Sequence, residues 1–322
     1  MYTTFELQQR IEKAISELSY PQHPGNLYDP IHYIMNLGGK RLRPALVLIA
    51  ADLFQGNIEE ALPAALAIET FHNFTLIHDD IMDNAPLRRG QQTVHEKWGT
   101  NNAILSGDVM MVESNKLLTQ TRVDVLKDVL DTFNTTAQGV CEGQQLDMEF
   151  ELRDDVNIDE YIDMIRLKTA VLVGGAMKIG ATIAGASKEE AQLIYEFGEN
   201  LGVAFQLQDD ILDVYGDPEK FGKQVGGDII ANKKTYLLLK LQELAGKEDL
   251  AVLEEQSLNE VATNKIDNIT ALYDSYQIKE SASAQMRDYL DKAFNALDRI
   301  QVPQEQKKEL VTLANALMHR ER

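Results

Sequence analysis

Apolar residues recur at helical spacing through nearly the whole of this 322-residue chain, and the strict alternation of a half-buried strand is nearly absent. That pattern excludes a sheet-based architecture, so the chain reads as all-α. Its eight prolines fall mostly at segment edges, where they do not interrupt helices. Helices are expected over 4–19, 28–36, 42–54, 59–82, 101–119, 122–149, 158–185, 188–214, 233–245, 248–255, 258–274, 277–300 and 304–319. Turns are expected at Tyr20 to Asn26, Gly38-Gly39, Ala85 to Gly90, Gly216 to Pro218 and Gly226-Gly227. None of these is long or polar enough to be an interdomain linker, so residues 1–322 are expected to form one domain. The segments 59–82 and 188–214 are largely apolar before their aspartates, which places them among other helices in a bundle around a central cavity.

Charge narrows the partners. With 31 basic and 51 acidic side chains the net charge is −20, which argues against nucleic acid or an anionic membrane surface. An acidic chain that handles phosphate needs metal ions and a few placed cations. Cys141 is the only cysteine, so no intrachain disulfide forms and a reducing, cytoplasmic setting is expected; the residue itself reads as a small buried apolar group. The opening segment, Met1 to Leu18, is charged and amphipathic and has no secretory apolar core. Thr169 to Ala186 approaches the length of a membrane span but carries Lys178 and four glycines, so a buried helix with close neighbours is expected and no membrane insertion.

Two aspartate clusters of one shape stand out. Asp79, Asp80 and Asp83 form a DDxxD, as do Asp209, Asp210 and Asp213. Helix positions four apart lie about 40° apart around the axis, so Asp79 sits over Asp83 and Asp209 over Asp213. Each pair is an all-oxygen clamp of the kind that suits Mg²⁺ better than zinc or copper. Both clusters lie in apolar surroundings, Ile77 and Ile81 at the first and Leu207 and Ile211 at the second, where unpaired carboxylates would cost several kcal/mol. Arg88 and Arg89 follow the first cluster as a candidate diphosphate clamp. Upstream, Gly38-Gly39 leads through Lys40, Arg41 and Arg43 into a helix start, a favourable place for an anion. His72 lies two turns behind Asp79 on its face, and Gln206 three residues before Asp209; Lys168, Thr169, Lys223, Lys233 and Lys234 are further candidates around the second cluster.

Taken together, GGKRLRP at Gly38, HNFTLIHDDIMDNAPLRRG, GQQLD, LKTAVLVGG, FQLQDDILDVYGD and GKQVGGDIIANKKTYLL resemble the trans-isoprenyl diphosphate synthases, the polyprenyl synthetase family. The resemblance implies an all-α bundle around a deep pocket and a homodimer. It implies head-to-tail condensation of isopentenyl diphosphate with an allylic diphosphate, to a short-chain product. By the same resemblance the six aspartates serve three Mg²⁺ ions on the allylic diphosphate, with Asp79, Asp83 and Asp209 as ligands. Lys40, Arg43, His72 and Arg89 are similar to isopentenyl-diphosphate ligands, and Arg88, Lys168, Thr169, Gln206, Lys223 and Lys233 to allylic-side ligands, Lys168 also standing among the catalytic groups. Departure of the diphosphate would leave an allylic cation, which the isopentenyl double bond attacks before a proton is lost. No protein nucleophile is required, in keeping with the lack of a Ser-His-Asp or Cys-His arrangement.

The resemblance also places Phe74 and Thr75, large then small, at the floor of the pocket that receives the growing tail. This pairing implies geranylgeranyl diphosphate as product, with farnesyl or a longer chain as alternatives; an ordinary core aromatic is the other role open to Phe74. A terpene cyclase would be expected to carry a different second metal motif, and a non-catalytic partner subunit to have lost aspartates.

Overall fold

The computed structural model describes residues 2–217, 225–258 and 261–318. It is helical nearly throughout, as the periodicity requires. The chain divides into two compact units. The first comprises Met1–Asn134, Ala176–Ile194 and Gln301–Glu309, and the second Thr135–Gly175, Tyr195–Ile300 and Leu310–Arg322.

The first unit begins with α1 (Thr4–Glu17), α2 (Gly25–Asn36), α3 (Leu42–Leu53) and α4 (Ile58–Met82). Thr3 and Glu6 close a reciprocal capping box at the start of α1, and Asn57 accepts the Glu59 N–H at the start of α4, so orphan amides at both helix starts are satisfied. Helix α4 is buried on every side from Ala64 to Phe71, a stretch that includes Ala64, Ala65 and Ala67. Alanine there lets neighbouring backbones approach closely, chiefly those of α3 and of α6 (Thr100–Leu118). Between α4 and α6 lie a two-residue hairpin, Leu87–Arg88 paired with Gln91–Gln92, and a short helix α5 (Val94–Trp98). The sequence pattern read the hairpin only as a turn and gave no sign of α5, because neither is long enough to show a period.

Next come α7 (Val123–Glu151), α8 (Ile158–Ile165), α9 (Val171–Ile183) and α10 (Lys188–Tyr215), and further helices at Tyr236–Leu244, Lys247–Ser257, Ala262–Ser275, Ile278–Arg299 and Gln304–Met318. Three of the four glycines of the apolar stretch, Gly174, Gly175 and Gly180, meet close neighbours as expected, a Cβ on Gly180 standing 2.0 Å from the Val47 carbonyl oxygen of α3, whereas Gly185 has open space around it. Among the described residues no helix is long and apolar enough to cross a membrane. In the second unit, Tyr161, Met164, Ile165, Val203, Leu207, Ile211, Leu237 and Tyr273 belong to one apolar cluster.

Three expectations need correction. The helix expected over 158–185 is not continuous, because Arg166–Ala170 winds as a π turn between α8 and α9. An extra residue in one turn leaves no periodic trace. The helix expected over 233–245 is Tyr236–Leu244, preceded by a separate turn, Gly227–Ile230. Cys141 is exposed; it stands on the outer side of α7 with Gln138, Glu142 and Gln145.

Gly180→Ala is expected to lower stability by about 1–3 kcal/mol, because an interior backbone contact must give way. Urea unfolding would show this as a lower midpoint at unchanged slope; an unaltered midpoint would mean the two backbones separate at no cost.

Candidate active site

The hairpin after α4 divides the two adjacent arginines. Arg89 and Gly90, its central residues, both have positive φ (53° and 74°), the pattern that matches a two-residue turn to the twist of its strands. The consequence is that Arg88 and Arg89 point to different partners. Arg88 donates from Nε to both carboxylate oxygens of Asp80 at 2.9 Å, and its Nη2 lies 2.8 Å from Oδ1. Arg89 donates from Nη1 to the Gly38 carbonyl. Gly39 has φ 134°, a conformation that favours glycine, and the Arg89 guanidinium would lie 2.9 Å from a Cβ there.

Arg43, in the first turn of α3, lies with Nη1 3.2 Å from Nε2 of His72 on α4. Its Nε is buried without a hydrogen-bond partner, a costly state that an anion would relieve. The His72 pKa is driven well below the ordinary value, first by burial and then by Arg43, Arg89, Arg88 and Arg41. The neutral ring therefore accepts the Arg43 proton at Nε2 and carries its own on Nδ1. Burial also lowers the Arg43 and Arg89 pKa values. A guanidinium stays charged under such shifts, so the place concentrates positive charge in a chain of net charge −20.

The first aspartate motif splits by depth. Asp80 is 1% exposed and held by Arg88, whereas Asp83 is exposed at the end of α4. The burial expected of the whole cluster thus applies to Asp80 and not to Asp83. Helical geometry explains this: Asp80 is turned about 100° from Asp79, while Asp83 returns nearly to the Asp79 face.

The second unit repeats the division with different chemistry. Asp210 is 4% exposed; it accepts the Tyr161 hydroxyl, and the Gln206 amide at 3.2 Å. Burial pushes the Asp210 pKa up to about 7 against the opposing Tyr161 bond, with Asp228 raising it further. Thr169 donates to Gln206 at 3.4 Å, and Lys168 to Asp147 at 2.6 Å. Both Lys168 and Thr169 lie in the π turn. That turn passes so close to α7 that a Cβ on Gly143 would sit 2.2 Å from the Lys168 nitrogen. Asp213 accepts the Asp228 N–H at 3.0 Å. Lys168, Thr169, Gln206, Asp210, Asp228 and Lys233 all line one cavity of about 170 Å³.

The fit to magnesium can be judged on this donor set. Among the described residues no three His, Cys, Asp or Glu side chains converge on one point. Mg²⁺ characteristically takes one or two carboxylates and completes its shell with water and substrate phosphate. The oxygens of Asp79 with Asp83, and of Asp209 with Asp213, fit such a partial shell, the neighbouring Asp80 and Asp210 being held by protein groups.

The sequence profile described as Polyprenyl synthetase matches residues 24–276. The chain belongs to this family. It is a prenyltransferase of the all-helical synthetase fold. A geranylgeranyl diphosphate synthase of Methanosarcina mazei is 42% identical over 253 residues, 78% of this chain and 78% of that protein. A geranylfarnesyl diphosphate synthase of Natronomonas pharaonis is 38% identical over 252 residues, 73% of this chain and 74% of that one. A crystal structure of a geranylgeranyl pyrophosphate synthase superposes with a TM-score of 0.94 at 43% identity, covering 100% of both chains.

Within this synthetase, the groups marked out from sequence fall into two local sets. Arg43, His72 and Arg89 join through the Gly38 loop, and Lys168, Thr169, Gln206, Asp210 and Lys233 through the small cavity. Lys40 belongs to the Gly38 loop, its carbonyl accepting the Gln8 amide at 2.5 Å. Lys223 lies outside the described residues. Gln206 reaches Asp210, its i+4 neighbour, rather than Asp209. Sequence reading passed over Tyr161, Asp147, Asp228 and Glu69. Asp147 was visible within GQQLD and Glu69 three residues before His72, but Tyr161 carries no such signal.

A depressed His72 pKa carries a sign. Above the ordinary histidine value of 6.5 folded and unfolded chains are both neutral at this ring. Below it the unfolded chain binds a proton that the folded one refuses, so this ring makes folding less favourable as pH falls. In NMR spectra His72 is expected to keep neutral-ring shifts from pH 8 down to about 5.5, where an ordinary imidazole is mostly charged. A titration near 6.5 would contradict the burial and arginine field described here.

Proposed function

We propose that the chain condenses isopentenyl diphosphate with an allylic diphosphate, head to tail, and that its product is geranylgeranyl diphosphate. The observation that carries this reading is the arginine cluster around neutral His72, with the buried, unpartnered Nε of Arg43. Such a cluster takes a diphosphate, and a DDxxD follows two turns on along the same helix. Lys40, Arg43, His72 and Arg89 would bind isopentenyl diphosphate, His72 through its Nδ1–H. Arg88, Lys168, Thr169, Gln206, Lys223 and Lys233 would bind the allylic diphosphate, Arg88 while bound to Asp80.

Asp79, Asp83 and Asp209, aided by Asp213, would hold three Mg²⁺ ions. When bound, the ions neutralise charge building on the diphosphate leaving group. The protein's share is to seat both substrates, to place cations at the departing oxygens and to hold Asp80 and Asp210 in fixed hydrogen bonds. The proton lost at the end can leave with the diphosphate, so no side-chain base is needed. Working as one catalytic domain, the chain would act in the cytoplasm, a reading supported by its lone cysteine. It would act as a homodimer, for which the exposed apolar side chains Ile104, Leu105 and Val112 of α6 give support.

Product length is read from Phe74. Its ring lies tilted 5.5 Å from Phe71 and edge-on 4.7 Å from His78, and Phe71 packs in turn on Phe133. Thr75 turns its hydroxyl back to the His72 carbonyl at 2.8 Å. A relative named for geranylfarnesyl diphosphate, 38% identical, keeps a product one unit longer as the second reading.

Incubation with Mg²⁺, isopentenyl diphosphate and each short allylic diphosphate, followed by chromatography of the dephosphorylated alcohols, is expected to give the twenty-carbon alcohol as the main product. EDTA should abolish it and Asp79→Asn should lower kcat at least about 100-fold. Absence of any elongated product would overturn the proposal. Phe74→Ala is expected to shift the main product to longer chains; an unchanged chromatogram would return Phe74 to the ordinary core.

A further inference from the structure

The loop from Gly38 to Arg43 carries three cations, and one of them is wholly taken up by the protein. Arg41 is 4% exposed. Its Nε donates to Glu12 of α1 at 2.8 Å, its Nη1 to Glu69 of α4 at 2.6 Å and its Nη2 to the Met35 carbonyl near the end of α2 at 2.6 Å. One guanidinium thus ties three helices to the loop. Glu69 is itself 2% exposed and also accepts the Asn73 amide at 3.2 Å.

The backbone adds a second observation. Arg41 has φ 43° and ψ 37°, the left-handed region, directly before α3. A non-glycine residue stays there only where its surroundings hold it. This bend starts α3 and sets Arg43 in its first turn, within reach of His72. Glu69 and His72 are three residues apart on α4, hence on one face. The helix face that anchors Arg41 is therefore the face against which Arg43 is aligned.

We propose that the buried Arg41–Glu69 pair is the positioning element of the isopentenyl-diphosphate subsite: it fixes the bend that aims Lys40 and Arg43 at the substrate without itself touching it. The inference rests on the reading above that Lys40, Arg43, His72 and Arg89 bind that diphosphate.

Positioning and plain electrostatics give opposite signs in one experiment. Glu69→Gln adds a net positive charge near the subsite, so a purely electrostatic role predicts a lower KM for isopentenyl diphosphate. A positioning role predicts a higher one, because Arg41 loses its buried charged anchor and keeps only the half-exposed Glu12. The double variant Arg41→Gln with Glu69→Gln removes both charges and leaves the net charge of the region unchanged. Steady-state kinetics on the full chain are expected to give a KM for isopentenyl diphosphate raised about tenfold in both variants, with kcat and the allylic KM within about twofold.

The double variant also removes the Arg41 bonds to Glu12 and the Met35 carbonyl, so its isopentenyl KM is expected to rise at least as much as that of the single. Arg43→Ala serves as the reference. If it leaves the isopentenyl KM unchanged, the subsite reading falls and the inference with it. If it raises that KM while Glu69→Gln does not, the inference alone is overturned. A joint decline of kcat and of affinity for both substrates would equally overturn it, as the mark of general loosening. Should the double variant fail to fold, Glu69→Gln alone decides by the sign of its KM change.

Discussion

Arg41, Arg43, Arg88 and Arg89 are close enough to His72 to depress its pKa together, and like charges gathered in a partly buried place repel strongly. The arrangement holds because three of the four donate to oxygen acceptors within the protein. Arg41 is bound by Glu12 and Glu69, Arg88 by Asp80 and Arg89 by the Gly38 carbonyl. Arg43 faces only a neutral imidazole and keeps a buried N–H unpartnered. In the proposed role, anion affinity in this acidic chain depends on which guanidinium groups already have oxygen acceptors within the protein. The hairpin contributes to the same end, since its positive-φ turn sends adjacent arginines to separate partners.

The aspartate motifs follow a related logic. In a helical DDxxD the first and last carboxylates share a face and the second is turned away toward the packing. Both second aspartates are accordingly buried and hydrogen-bonded, yet the partners differ: a guanidinium at Asp80, a phenol and an amide at Asp210. The difference matters for charge. A guanidinium carries its own compensating charge, whereas a phenol does not, and burial raises the Asp210 pKa to about 7. Two copies of one motif therefore stand in unlike electrostatic settings, which a shared sequence pattern conceals.

The long helices were legible because apolar residues persist over many turns, all round the axis in the buried part of α4 and at helical spacing in α10. The chemistry of DDxxD was legible because helical spacing alone fixes which carboxylates share a face. What stayed hidden depends on contacts between residues distant in sequence. Tyr161 is 49 positions from Asp210, and nothing near it marks a partner. The π turn at Arg166–Ala170 needs only one added residue, and the close approach of its Lys168 backbone to Gly143 joins residues 25 positions apart. Arg41 misleads in the other direction, since its sequence company suggests a substrate ligand while its side chain is fully occupied by protein.

Phe74 and Thr75 show how adjacent positions can hold opposite shapes. Helical side chains lean toward the N-terminus, so the Phe74 ring lies over the preceding turn, against Phe71. His78, one turn later, meets the ring edge-on at 4.7 Å, and a Cβ on Gly107 would fall 2.4 Å from the His78 ring. A ring packed against two neighbours along its own helix has fewer rotamers open to it. Thr75, turned about 100° from it, folds its hydroxyl onto the His72 carbonyl and adds no bulk. In the proposed role, product length then depends on one immobilised ring more than on total cavity volume. A determinant that local can change by a single substitution while the fold is kept, which accords with relatives of 42% and 38% identity being named for products of different length.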